Sequence, residues 1–202
     1  MITIVDYGMG NVGSVFNMLR KFRAKVQISS NENDIANSDK LILPGVGHFD
    51  RGFENLKSSG LIGVLSEEVL VNKRPILGIC LGMQMMTRGS EEGAQNGLGW
   101  VAADTIKFPS DNNLKIPHMG WNQVQSSIGA KLFESAPEEP ERFYFVHSYY
   151  VRVDNPKDVA AYCHYGQDFV ASFEVDNIMG VQFHPEKSHL FGMRLFQRFV
   201  DL

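Results

Sequence analysis

Three short apolar or β-branched runs in the first eighty residues each break at glycine. Residues 2–5 run into Tyr7-Gly8-Met9-Gly10-Asn11, residues 40–43 into Pro44-Gly45-Val46-Gly47, and residues 75–79 into Cys80-Leu81-Gly82. The stretches between them carry helical spacing, first at Val12, Val15, Phe16 and Leu19, then over 49–56 and 61–71. Runs of four or five residues read as strands, and longer stretches with a 3.6-residue period read as helices. Strands separated by helices pair in parallel through crossover connections. The glycine loops that follow the strands then gather at one edge of the sheet. Residues 25–29 supply a further strand.

The second half changes character. Residues 101–108, 122–125, 142–153, 159–164, 170–175 and 178–183 all look extended, with short turns such as Asp176-Asn177 between them. An amphipathic helix over about 190–200 closes the chain, with Leu190, Phe191, Leu195, Phe196 and Phe199 on one side. The expected fold is therefore α/β, with a mostly parallel central sheet, helices on both faces and additional antiparallel strands in the second half. A length of 202 residues suits one domain spanning 1–202. The most polar stretches, 110–113 and 137–141, are too short to separate two.

Composition narrows the function classes. A formal net charge of −4 gives no basic footprint for nucleic acid or an anionic membrane. No apolar run approaches the ~18 residues of a membrane span. Met1-Ile2-Thr3-Ile4-Val5-Asp6 lacks a basic segment ahead of its apolar stretch and reads as a first strand, not a signal peptide. Two cysteines cannot build a disulfide scaffold. The expectation is a soluble, cytoplasmic protein.

Gly8-Met9-Gly10-Asn11-Val12-Gly13 is a literal G-x-G-x-x-G with Glu32 about twenty positions on, the formal pattern of a dinucleotide site. Alone it describes a tight strand-to-helix turn in any α/β fold, and the motifs downstream ask for different chemistry.

Gly78-Ile79-Cys80-Leu81-Gly82 has the form of a nucleophile elbow. The glycines permit a sharp turn that exposes a strained cysteine at the strand end. The amides of the helix that follows favour thiolate, and the Leu81 N–H is placed to stabilise an oxyanion. Cys163, in a strand-like run without glycine, reads as a core residue. Of six histidines, His184 closes an apolar strand and is followed by Pro185-Glu186. A carboxylate two residues on can fix the imidazole tautomer and stabilise its charged form. Pro44-Gly45-Val46-Gly47 reaches the same sheet edge and can turn a peptide N–H toward a developing oxyanion.

With Pro44-Gly45-Val46-Gly47, Gly78-Ile79-Cys80-Leu81-Gly82-Met83-Gln84 and Gly180-Val181-Gln182-Phe183-His184-Pro185-Glu186 together, the chain resembles the class I (triad) glutamine amidotransferases. The resemblance covers essentially the whole chain. Within that family it is most similar to the glutaminase subunits of imidazole glycerol phosphate synthase. The stretches that carry this are Asp6-Tyr7-Gly8-Met9-Gly10-Asn11, Pro117-His118-Met119-Gly120-Trp121-Asn122, Phe143-Tyr144-Phe145-Val146-His147-Ser148-Tyr149 and Lys187-Ser188.

The resemblance implies a flavodoxin-like fold and hydrolysis of L-glutamine to glutamate and ammonia, with no cofactor and no metal. It implies Cys80 as nucleophile, His184 as proton shuttle and Glu186 as its orienter. An oxyanion hole would come from the N–H groups of Leu81 and of Val46 or Gly47. Gly47, Gln84, His147, Ser148 and Tyr149 would line the glutamine pocket. Trp121, Asn11 and Lys187 would face a (β/α)8-barrel cyclase partner that receives the ammonia for histidine biosynthesis and activates the glutaminase. A paralogous glutaminase serving a sugar- or nucleotide-sugar-modifying synthase shares the same chemical motifs. A cysteine peptidase on a related fold and a nucleotide-binding module are the readings from other classes.

Overall fold

The computed structural model describes residues 1–109, 114–134 and 140–202, so most of the two polar stretches noted above lies outside the described residues. The first half reads β1 (Ile2–Val5), α1 (Val12–Arg20), β2 (Val26–Ser29), α2 (Glu32–Ala36), β3 (Lys40–Gly45), α3 (Phe49–Ser58), α4 (Ile62–Ser66), β4 (Ile76–Cys80) and α5 (Leu81–Met85). The second half adds β5 (Ala103–Lys107), β6 (His118–Ser126), β7 (Glu141–His147), β8 (Tyr149–Val153), β9 (Val159–Tyr165), β10 (Gln167–Val175), β11 (Ile178–Val181) and α6 (His189–Asp201).

The strands form one sheet in the order β2-β1-β3-β4-β11-β10-β9-β6-β7, with β8 pairing to β10 and β5 to β8. From β2 to β11 every neighbour is parallel. Beyond β11 the pairings are antiparallel. The α/β expectation with antiparallel additions is therefore what the chain adopts.

The parallel strands read as nearly continuous apolar runs because both sheet faces are covered. On β3, Ile42 packs into one core with Leu77, Ile79, Phe183 and the α6 stripe Leu195, Phe196 and Phe199. Its neighbours Leu41 and Leu43 face a second core with Phe49, Leu65, Leu81 and Met83. That alternation is the two-residue period of a strand buried on both sides.

Besides α2, which the sequence pattern did not reveal, three segments depart from the sequence expectation. Residues 61–71 do not form one regular helix: α4 gives way to a π-helical turn over Glu67–Val71. Asn177 Nδ2 donates to the carbonyls of Val69 and Arg74 there, and Glu68 takes hydrogen bonds from Asn72 and Arg74. The Asn177 side chain thereby satisfies the Val69 carbonyl within the wider turn. Residues 142–153 split into β7 and β8 at Ser148. Finally, β6 begins at His118 although Gly120 is a poor strand former, because register with β7 pairs every residue from His118 to Val124. Cross-strand pairing overrides local propensity at this position.

Candidate active site

The register of the parallel strands sets the site. Gly45 at the end of β3 pairs with Cys80 at the end of β4, and Val181 on β11 pairs with Ile79. The segments that follow β3, β4 and β11 therefore emerge side by side.

Cys80 has φ +54° and ψ −109°, the strained backbone that the elbow expectation calls for. The two glycines explain how it is held. A Cβ at Gly82 would collide with the Leu43 carbonyl oxygen, and one at Gly78 would lie 2.8 Å from the Met83 nitrogen. Only glycine lets α5 fold back this closely over β3 and β4. Because α5 is five residues long, its favourable potential at Cys80 comes from first-turn N–H groups, not from an extended dipole.

His184 and Glu186 follow β11 through Pro185. Their side chains are almost fully buried and meet at 2.8 Å between Nδ1 and Oε1. With Nδ1 donating to the carboxylate, Nε2 points the other way. That nitrogen is buried without a hydrogen-bond partner among the described residues. Burial opposes a charged ring, but the neighbouring Cys80 sulfur and the Glu186 carboxylate outweigh it, and the His184 pKa is raised to about 10. The backbone here is stitched to β7: the His184 N–H donates to the Tyr144 carbonyl, the Tyr144 N–H to Ser188 Oγ, and Ser188 Oγ–H to the His184 carbonyl.

The loop after β3 is anchored at its start. The buried Tyr7 hydroxyl donates to the Pro44 carbonyl at 2.7 Å. Gly10 packs so closely on Pro44 and Gly45 that a Cβ would lie 3.0 Å away. Beyond that anchorage Val46 is exposed and Gly47 has φ +100°, a region that favours glycine.

One cavity of about 460 Å³ is lined by Val46, Gly47, Cys80, Leu81, Gln84, His147, Ser148, Tyr149 and His184, together with Glu92, Pro117, Val146 and Lys187. It thus brings together every candidate catalytic, oxyanion and substrate residue except Glu186, which stands behind His184. Its volume suits a small metabolite.

Two of the candidate pocket residues are already engaged. Gln84 Nε2 donates to the Tyr149 carbonyl and to Gln182 Oε1. His147 Nδ1 donates to that same carbonyl at 2.8 Å, so its Nε2 accepts from His118 Nδ1 at 2.9 Å. The His118 Nε2 is then left to accept from Asn122 Nδ2. His147 presents a wall to the cavity, with both ring nitrogens spent inward.

Trp121 is half exposed, stacks on His189 and sits edge-on to Tyr144. The Lys187 ammonium lies over the same Tyr144 ring at 5.8 Å. Asn11 is exposed at the start of α1 and makes no side-chain capping bond. Trp121 and Lys187 therefore share one surface at the rim of the cavity.

Sequence reasoning passed over Glu92. It projects from the loop after α5, and its Oε2 accepts the Phe49 N–H at the start of α3, where His48 also caps. Among the described lining residues it is the sole carboxylate. No motif marks it.

A cysteine on a strand-to-helix elbow, a carboxylate-backed histidine and a glycine loop meet around one cavity on an α/β sheet, an arrangement that suits a hydrolase with a cysteine nucleophile. The family model described as Glutamine amidotransferase class-I matches residues 3–202. The chain belongs to that family.

Among its relatives, the imidazole glycerol phosphate synthase subunit HisH 2 of Pseudomonas aeruginosa is 50% identical, with 100% of both chains covered. HisH 2 of Methanococcus maripaludis is 52% identical, covering 99% of this chain and 98% of that one. HisH 1 of a Campylobacter jejuni strain is 46% identical over the whole of both. Solved structures that share the fold include a glutamine amidotransferase with TM-score 0.77 at 15% identity, covering 100% of this chain and 98% of that one. PurLQS from Thermotoga maritima has TM-score 0.70 at 17% identity, covering 99% and 97%.

Proposed function

We propose that this chain is the glutaminase subunit of an imidazole glycerol phosphate synthase, hydrolysing L-glutamine and handing the ammonia to a synthase subunit. The observation that carries the reading is the Cys80 elbow facing one cavity with His184, whose far nitrogen is bound to Glu186. Full-length identity to HisH subunits supports the assignment of pathway.

In this mechanism the Cys80 thiolate attacks the side-chain amide carbon. The oxyanion that forms is held by the Leu81 N–H and an N–H from the Val46–Gly47 peptide. His184 gives its proton to the leaving nitrogen, and ammonia departs from a γ-glutamyl thioester. Water then loses a proton to His184 and attacks the thioester, releasing glutamate and restoring the ion pair. Glu186 keeps the imidazole in one tautomer throughout. Glu92 offers the negative charge that the substrate ammonium needs. The loop anchored by Tyr7 at Pro44, with Val46 exposed and Gly47 at positive φ, is where an oxyanion donor can be switched in or out.

Ammonia is mostly protonated at neutral pH and must reach its acceptor shielded. That requirement supports a docked (β/α)8-barrel partner over the surface bearing Trp121 and Lys187, with the exposed Asn11 a further interface candidate. The continuous sheet supports one domain over 1–202. No described helix is long and apolar enough to cross a membrane, and a working thiol needs reducing conditions, which supports a cytoplasmic setting.

Two relatives bear the name HisH 2, and ammonia-making motifs do not specify the acceptor. A paralogous sugar-modifying synthase is therefore the second reading. The test is glutamate release on mixing with the histidine-pathway barrel subunit and its nucleotide, run beside a sugar-modifying synthase. Turnover with the first alone is expected, and Cys80→Ala should abolish it. Turnover only with the second would reassign the pathway, and an active Cys80→Ala would remove the nucleophile.

A further inference from the structure

Gln182 lies inside the apolar approach to His184, fully buried between β11 and the site. Its backbone N–H is already taken by the Ala171 carbonyl. Burying a primary amide is costly unless both ends are satisfied, and an aliphatic side chain would fill this space without that cost.

The hydrogen bonds around Gln182 have a fixed direction. A main-chain carbonyl can only accept, so the Gln84 group facing the Tyr149 carbonyl at 3.2 Å must be the amide nitrogen. That nitrogen also faces Gln182 at 3.0 Å, so the Gln182 atom there must be its oxygen. The Gln182 nitrogen is thereby turned the opposite way, toward Cys80 Sγ at 3.7 Å. No other hydrogen bond from Gln182 Nε2 is formed among the described residues. The amide orientation, ordinarily ambiguous, is settled here by the Tyr149 carbonyl.

We propose that Gln182 acts directly on the nucleophile, donating an N–H to Cys80 Sγ to stabilise the thiolate, and that Gln84 is the positioning residue that aims it. This rests on the reading of Cys80 as nucleophile. A thiolate accepts such a bond more strongly than a thiol, so the contact favours the reactive form. It approaches the sulfur as a neutral donor, and it persists when His184 has given its proton away. Gln182 thus supports the thiolate as leaving group when the thioester is hydrolysed. Gln84 contributes through its two N–H groups, one on the Tyr149 carbonyl and one on Gln182.

The test follows alkylation of Cys80 by iodoacetamide against pH on the full chain, in a Cys163→Ala background. The thiolate displaces iodide, so the midpoint reports thiolate formation and the plateau at high pH reports access. Gln182→Met keeps the shape and removes the donor. It should raise the midpoint by about one pH unit, the tenfold loss of thiolate expected for one charge-assisted hydrogen bond. A purely structural role would alter the plateau and leave the midpoint in place, and that result would overturn the proposal. If Gln182→Met does not fold, Gln84→Met decides: the same upward shift supports the proposal, and an unmoved midpoint overturns it. Glutamate release by Cys80→Ala in the partnered assay separates the two readings. If that variant stays active the nucleophile assignment fails, whereas an inactive Cys80→Ala with an unmoved midpoint removes the Gln182 role alone.

Discussion

Gly82 lies so close to the Leu43 carbonyl that the two backbones leave no space for a side chain. The contact fixes α5 against β3, and with it the separation between the Leu81 N–H and the loop that begins at Pro44. Gly82→Ala should therefore damage geometry and stability together. Overpacking a site bounded by backbone costs about 1–3 kcal/mol. We expect a melting point lowered by several degrees and little partnered glutaminase activity. A thermal melt beside a glutamate assay checks both, and a fully active variant would show that the elbow tolerates a shift of α5.

The buried histidine pair predicts acid sensitivity. Burial lowers the His118 pKa to about 4. Burial, with the neighbouring His118 and His184 acting in the same direction, lowers His147 to about 3 despite its bond to the Tyr149 carbonyl. Each ring takes up its proton near pH 6.5 when unfolded but resists it when folded. Stability from this source is complete above about pH 6.5 and is lost as pH falls toward 4 for His118 and toward 3 for His147. The slope is roughly 1.4 kcal/mol per pH unit for each ring. Denaturant midpoints measured between pH 7 and 4 should fall, and His118→Asn should flatten the curve if it folds.

Glu92 predicts a separation of binding from chemistry. Its carboxylate caps α3 through the Phe49 N–H and faces the cavity. Glu92→Gln keeps an acceptor for that N–H and removes the charge. A charge-assisted hydrogen bond is worth about 1.5–3 kcal/mol, so KM for glutamine should rise at least about tenfold with kcat largely kept. A loss confined to kcat would place Glu92 in loop positioning instead of substrate recognition.

The triad candidates were legible because each sits in a short local motif at a strand end, where sequence spacing and spatial position coincide. Cys80 between two glycines and His184 two residues before Glu186 need no tertiary information to stand out. The harder residues owe their place to pairings between distant segments. His118 reaches His147 only because β6 and β7 lie in register, and Glu92 reaches the start of α3 from a loop of no regular pattern. Gln182 stood within a recognised motif, yet its direction depends on a carbonyl over thirty residues away. The π-helical turn escaped for a related reason: Asn177, more than a hundred residues on, donates to its Val69 carbonyl.

Tyr144 joins the aromatic surface to the backbone of His184. Its carbonyl receives the His184 N–H, its own N–H is held by Ser188, and its ring lies between Trp121 and the Lys187 ammonium. The outer surface bearing Trp121 and the backbone of His184 are thus two sides of a single residue. A body pressed against that aromatic surface would bear on the His184 peptide directly, with no intervening element to deform first.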